Sequence, residues 1–323
     1  MSVMSEAERE WEHLKENHPV VTLNYLVVTP MIEKAYAIIR QRVYFRHASV
    51  LMLGSPRIGK TICANTIKNL LRMEFKDRYS VYITIPERDK QPDFYRNFVS
   101  QEGLIARERE SPDTLLDKIL VYIISNLQMD GGKHFVLIVD EMQLMQIGHY
   151  EQLVALHNRL ETHGIKMTTV GFAQPEILDR RQVLVKMNKK MNLVARFLSA
   201  PVRFETCTSD STFFSILDKF DKDLEYPEGS GCSFTNFFLP KAYAAGFRIS
   251  KEHENIWQQI VKVVGHFSLE VLPMENLLKI IQYLLVFAHE FDRPDFKLPP
   301  KIIEESIDAS LLLEFMSVMN YEV

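Results

Sequence analysis

The chain has 323 residues, 46% of them hydrophobic and 25% charged, the balance of a globular protein able to bury one large core or two smaller ones. A net charge of −4 and a pI near 6.2 leave no global basic field, so any nucleic-acid contact must come from a local patch. Three scattered cysteines, Cys63, Cys207 and Cys232, form neither a CxxC pair nor an even set, which argues against a disulfide framework or a zinc site.

In chain order, the opening MSVMSEAEREWEHLKENH is charged and polar, unlike a secretory signal, and reads as a lead-in over residues 1–30. A short apolar strand, ASVLMLG (48–54), follows. It runs directly into GSPRIGKT, Gly54 to Thr61, which fits GxxxxGK[ST] with the required strand before and helix after. Such a turn aims backbone N–H groups and a positive helix end at phosphate oxygens. Gly54, Ser55, Pro56, Arg57, Ile58, Gly59, Lys60, Thr61 and the following Ile62 are the candidate nucleotide contacts. Lys60 is placed to reach the β- and γ-phosphates, and the Thr61 hydroxyl to ligate Mg²⁺. Arg57 stands where glycine is frequent, and Pro56 removes one N–H donor from the loop.

YSVYITI (79–85) is the second strand. Ser111 before Pro112 makes an N-cap and first-turn pair for a helix running towards Leu127. HFVLIVD (134–140) is a third strand, apolar up to Asp140 and followed by Glu141. An aspartate ending a buried strand holds Mg²⁺, and the adjacent glutamate can orient or deprotonate an attacking water. Together the two motifs imply an ATPase core that uses ATP and Mg²⁺. A helix from near Tyr150 is closed by Gly164, and KMTTVGF (166–172) and PVRFET (201–206) complete five strands. Strands alternating with helices predict an α/β fold with a parallel sheet.

After Thr206 the strand signals stop. Segments starting near Phe234, Ser250, Pro273 and Pro300 have helical spacing, around a loop at EYPEGSGCS (225–233). The predicted layout is a lead-in over 1–30, an α/β ATPase core over 31–207, and helical lid and C-terminal helices over 208–323. The longest apolar run, LLKIIQYLLVFA from Leu277, is too short to cross a bilayer, so a cytoplasmic protein without a membrane partner is expected.

GSPRIGKT, VLIVDEMQLM, LVALHNRLETHGIKMTTVGFAQPEIL and the ARF before the last strand resemble the AAA+ ATPases, and more narrowly the TnsC/TniB transposition regulators, over about residues 18 to 290. The resemblance implies an AAA+ core with a five-stranded parallel sheet and a small helical lid. It implies that Gln174, with Thr169 behind it, contacts the γ-phosphate or the attacking water, and that Arg196 reaches a neighbouring subunit's nucleotide as a finger. It further implies a slow ATPase that assembles as a homo-oligomeric ring or filament on double-stranded DNA. That assembly would lie in the bacterial cytoplasm, between a TniQ-type target selector and transposase subunits. In the helix at 273–281, Glu275, Asn276 and Lys279 stand where many members carry a lid arginine, which suits a switch-like enzyme.

Arg88 and Lys90 fall in a loop of the kind that lines such a ring. From Arg180 to Arg203 the chain carries Arg180, Arg181, Lys186, Lys189, Lys190, Arg196 and Arg203 and no acidic residue, a second possible phosphate-contacting stretch. Other readings stay open: an AAA+ loader or initiator in replication, an ExeA-like secretion ATPase sharing the GQPEL-type turn, and a small-molecule P-loop kinase.

Overall fold

The structure, a computed structural model, describes residues 6–87, 93–186, 190–199 and 201–320. It divides into two compact units, one spanning Met31–Glu205 and one joining the residues up to Pro30 with those from Thr206 onward.

The first unit is built on a five-stranded sheet: β1 (Ser49–Leu53), β2 (Arg78–Thr84), β3 (His134–Asp140), β4 (Lys166–Ala173) and β5 (Pro201–Arg203). All pairings are parallel, in the order β2-β3-β4-β1-β5. The sequence explains the order. Every residue of β3, and all of β4 but Lys166, is buried, which requires helices on both faces, whereas the short edge strand β5 has no buried residue. Apolar side chains of β2 and β3, among them Val81, Ile83, Phe135, Leu137 and Val139, pack with Phe94, Phe98, Ile119, Ile123, Tyr150 and Leu153 from three covering helices. Gly171 on β4 is needed for close approach, because a Cβ there would overlap Met142 Sδ.

Local signals account for the helix ends. Ser111 accepts a hydrogen bond from Thr114 N at 3.2 Å at the start of the helix Pro112–Met129. Gly164, at φ +69°, follows the helix Ile147–Thr162. The fifth strand stops at Arg203, three residues short of the apolar pattern that suggested it, because Phe204 to Thr206 pass into the linking backbone.

The consequence for function is geometric. β1 lies between β4 and β5, with β3 beyond β4, so the turns leaving β1, β3 and β4 emerge side by side at the carboxyl edge of the sheet, where crevices form in α/β folds.

The second unit is helical. Asp210–Lys222, Phe234–Phe238, His253–Val264, Met274–Ala288 and Pro300–Ala309 pack through Phe213, Phe220, Phe234, Phe238, Leu284 and Ile303. Buried Asp221 stitches the chain by accepting from Ile249 N at 3.1 Å and Ser250 N at 3.0 Å. The N-terminal residues belong here. Trp11 stacks on His289 at a centroid separation of 4.3 Å. His18, fully buried, sits among Tyr226, Phe234, Phe237 and Phe238 at 4.5–4.7 Å, with Nδ1 accepting from Val20 N at 3.1 Å.

Burial pushes the His18 imidazole from 6.5 down to about 4, and a second proton would have to go on Nδ1, which accepts from Val20 N. The unfolded chain binds that proton near pH 6.5 and the folded chain only near pH 4, so stability is lost as pH falls through this window, by up to about 3 kcal/mol. The thermal midpoint is therefore expected to fall between about pH 7.5 and about pH 5. His18→Asn keeps a cap acceptor without the titration, and should narrow that difference while lowering the midpoint at both pH values. An equal difference in parent and variant would show that His18 does not set the acid limit.

Candidate functional site

Lys60 begins the helix Lys60–Glu74 at the end of the turn leaving β1. Gly59 caps it at φ +94°, a conformation open to glycine but strained for other residues. Arg57 adopts φ +58°, which explains why glycine suits that position. Gly54 N donates to Ala173 O at 3.0 Å, tying the turn to the end of β4. Ile58 is buried, Pro56 half-buried, and Ile62 is 55% exposed beside Thr61. No side chain caps the helix, so its first N–H groups remain directed at the turn.

The turn wraps the lysine. Lys60 is 5% exposed, and its Nζ donates to Gly54 O at 2.9 Å and Ser55 O at 2.7 Å. Burial lowers the pKa of the ammonium, and the charges of Glu141, Asp140 and Glu176 oppose that shift.

The second motif meets the first here. Asp140, fully buried at the end of β3, accepts from Thr61 Oγ1 at 2.7 Å and from the Tyr82 hydroxyl at 2.9 Å, both on Oδ2. Its Oδ1 accepts from Glu141 N at 2.9 Å. Glu141 then leaves the strand at φ 54° and ψ 38°, the left-handed region that side chains with a Cβ rarely adopt. The Gln174 side-chain amide, at the end of β4, donates to Glu141 Oε2 at 3.4 Å. Lys60, Thr61, Asp140, Glu141 and Gln174 thus converge on one edge of the sheet. Thr169 does not join them. It lies earlier in β4, in register with Ser49, and its buried hydroxyl has no partner among the described residues.

The remaining candidates are placed apart from this cluster or are engaged elsewhere. Arg196, half-buried on the helix Met191–Phe197, donates to Asn158 Oδ1 at 2.9 Å. Arg180 donates to the Met145 carbonyl, which ties it into the turn after β3. Arg181 is half-buried, and its Nε has no partner among the described residues. Lys186 is exposed, and Lys190 pairs with Glu151. Arg88, Lys90 and Lys189 lie outside the described residues. In the helical unit, Asn276 is buried and donates to Ser310 O at 2.7 Å, while Lys279 pairs with Glu275 at 2.7 Å.

Two polar residues escaped sequence reasoning. Tyr82 sits in the middle of an ordinary strand pattern, and only the register of β2 with β3 carries its hydroxyl to Asp140. Burial, offset by Thr84 and reinforced by Asp140, pushes its pKa up to about 12, so it is a hydroxyl donor at neutral pH. Gln143 lies in the turn Met142–Leu144, two residues beyond Glu141, and donates to Glu141 Oε2. Its position in DEMQ was its one visible signal.

Residues 43–180 match the family model of an AAA domain. The fold is that of an AAA+ core. Among solved structures, the chain is similar to the ORC2 protein of Aeropyrum pernix in its ADPNP–ADP complexes, at a TM-score of 0.52 and 14% identity, over 91% of this chain and 71% of that one. The ADP form of the same protein gives a TM-score of 0.52 and 14% identity over 89% and 70%. Both likenesses are of fold. No curated protein matches the chain. Among the described residues, no helix is long and apolar enough to cross a membrane.

Proposed function

We propose that the chain is an AAA+ ATPase that acts as a nucleotide switch on double-stranded DNA. The observation that carries the nucleotide part of this reading is the 2.7 Å hydrogen bond between Thr61 Oγ1 and Asp140 Oδ2, which joins two motifs far apart in sequence at one end of the sheet, with Glu141 next in the chain. The DNA part rests on the sequence resemblance. Those two side chains offer only oxygen atoms, a donor set that suits Mg²⁺, which takes one or two protein oxygens together with substrate phosphates. Bound there, Mg²⁺ would neutralise charge on the β- and γ-phosphates.

The chain's own groups have distinct tasks. The turn from Gly54 to Gly59 and the helix end after it present N–H groups to phosphate. Lys60 supplies a positive charge that now rests on its own loop carbonyls. Glu141 accepts a proton from the attacking water, and Gln174 holds that carboxylate and senses the terminal phosphate. Arg196 serves a neighbouring subunit, where a cation adds most to the transition state.

The sequence resemblance supports the finer reading, a transposition regulator of the TnsC/TniB type that links a TniQ-type target selector to transposase subunits. Arg88 and Lys90 are the proposed phosphate contacts, since Arg180 already has an internal carbonyl partner. A replication loader or initiator shares the architecture, and the likeness to ORC2 over most of the chain fits that reading equally well. Capture of a purified transposase, or of a replicative helicase, by the ATP-loaded protein separates the two.

Assembly is tested by mixing two impaired variants. Lys60→Ala lacks a sound cradle and Arg196→Ala lacks the finger, so each alone is expected to turn over ATP at least about a hundredfold more slowly than the parent. In an equal random mixture, about a quarter of head-to-tail interfaces join a sound cradle to a sound finger, and activity should return in that proportion. No recovery in mixtures shown to co-assemble would remove Arg196 from the neighbour's site.

A further inference from the structure

Both ends of one side-chain amide are taken at the carboxyl edge of the sheet. Gln143 Nε2 donates to Glu141 Oε2, and Gln143 Oε1 accepts from the backbone N of Gln174 at 3.0 Å. The orientation of this amide is fixed by its partners, because a carboxylate can only accept and a peptide N–H can only donate. Gln174 returns a second bond, its own Nε2 donating to the same Glu141 oxygen at 3.4 Å. A closed ring of three residues therefore links the end of β3 to the end of β4. Glu141 is held within it in the left-handed backbone region, a conformation that persists only where its surroundings fix it.

We infer that Gln143 is the positioning residue for Glu141, and that it couples this carboxylate to the backbone of Gln174 so that the two move as one unit. The inference rests on the reading of Glu141 as the base. Both amide donors fall on Oε2, so the clamp orients the carboxylate while Oε1 is left to take a proton. Any shift of Gln174 on meeting the terminal phosphate is passed through one amide to Glu141. Any constraint on Glu141 is returned to Gln174 by the same route. Gln143 touches neither nucleotide nor water in this scheme. It acts through Glu141.

Two substitutions separate the halves of the clamp. Gln143→Glu keeps an acceptor for the Gln174 N–H but turns a second carboxylate towards Glu141. Gln143→Ala removes both partners. Each is expected to lower kcat by about tenfold to a hundredfold, the range for losing a hydrogen bond to a charged group, with KM for ATP within about twofold of the parent. Hydrogen exchange at the Gln174 amide, measured on nucleotide-free protein, should accelerate in Gln143→Ala and stay at the parent rate in Gln143→Glu. A role confined to propping up the turn would move exchange and stability without this split.

Glu141→Gln, run beside them, tells the two levels apart. If it hydrolyses ATP at the parent rate, the base assignment is wrong and the clamp has nothing to position. If it is inactive while Gln143→Glu keeps the parent kcat or exceeds it, the base stands and the clamp is overturned. Unchanged exchange at Gln174 in Gln143→Ala overturns the coupling directly.

Discussion

Glu141→Gln is expected to lower ATP turnover by about 10²- to 10⁴-fold, the usual worth of a general base, while ATP binding stays within a few-fold of the parent. The substitution keeps shape and volume. Its amide oxygen can still accept from Gln143 and Gln174, which now hold Glu141 Oε2, so the ring at the sheet edge survives. What it loses is the site for the water's proton. On the proposal that ground-state contacts lie in the turn from Gly54 to Thr61 and not on Glu141, binding and turnover should separate cleanly. On DNA the variant should form assemblies that fail to dissolve when ATP is supplied. Single-turnover kinetics beside equilibrium binding of an ATP analogue measures both halves, and a parent-like rate would return Glu141 to a structural role.

How much of this was legible beforehand depended on distance along the chain. GSPRIGKT lies within one strand, turn and helix start, so its context could be read from neighbouring residues. The same holds for the Ser111–Pro112 helix start and for the buried strand ending in Asp140, whose unbroken apolar run announced a central position in the sheet. Tyr82 was illegible for the opposite reason, and Gln143 only in part, since its place in DEMQ is visible but its second partner, Gln174 N, lies 31 residues further on. A tyrosine within an alternating strand carries no mark of which neighbour its hydroxyl will meet, and that choice is made by the parallel register of β2 on β3. Arg180 looked like one more member of a basic run, but its guanidinium is tied to the carbonyl of Met145, across a turn that no local pattern connects to it. The N-terminal residues carry the same lesson: His18 and Trp11 find their aromatic partners more than two hundred residues away.

Lys60→Ala is expected to weaken ATP binding by about tenfold to a hundredfold, as befits loss of a charge-assisted contact to phosphate, and with it the ATP-dependent assembly of the variant when no subunit with a sound cradle is present. Stability should respond much less. The ammonium is almost wholly buried, and burial disfavours its charge, so its two carbonyl bonds largely offset a desolvation cost rather than adding a surplus. Removing it frees Gly54 O and Ser55 O, and the half-buried turn at Ser55 and Pro56 gives water a route to them. Calorimetric titration with ATP beside a thermal melt checks both statements. A melt that collapses together with binding would make Lys60 a structural lysine.

Control of assembly on duplex DNA by nucleotide state can be measured on the parent protein itself. Its affinity for a duplex of arbitrary sequence, and the size of the complex, are measured by sedimentation in the presence of a non-hydrolysable ATP analogue and again with ADP. Large, sequence-independent complexes are expected with the analogue, with affinity falling by orders of magnitude between about 50 mM and about 200 mM salt, and little binding with ADP. Equal affinity and equal size in the two nucleotide states would contradict control by nucleotide.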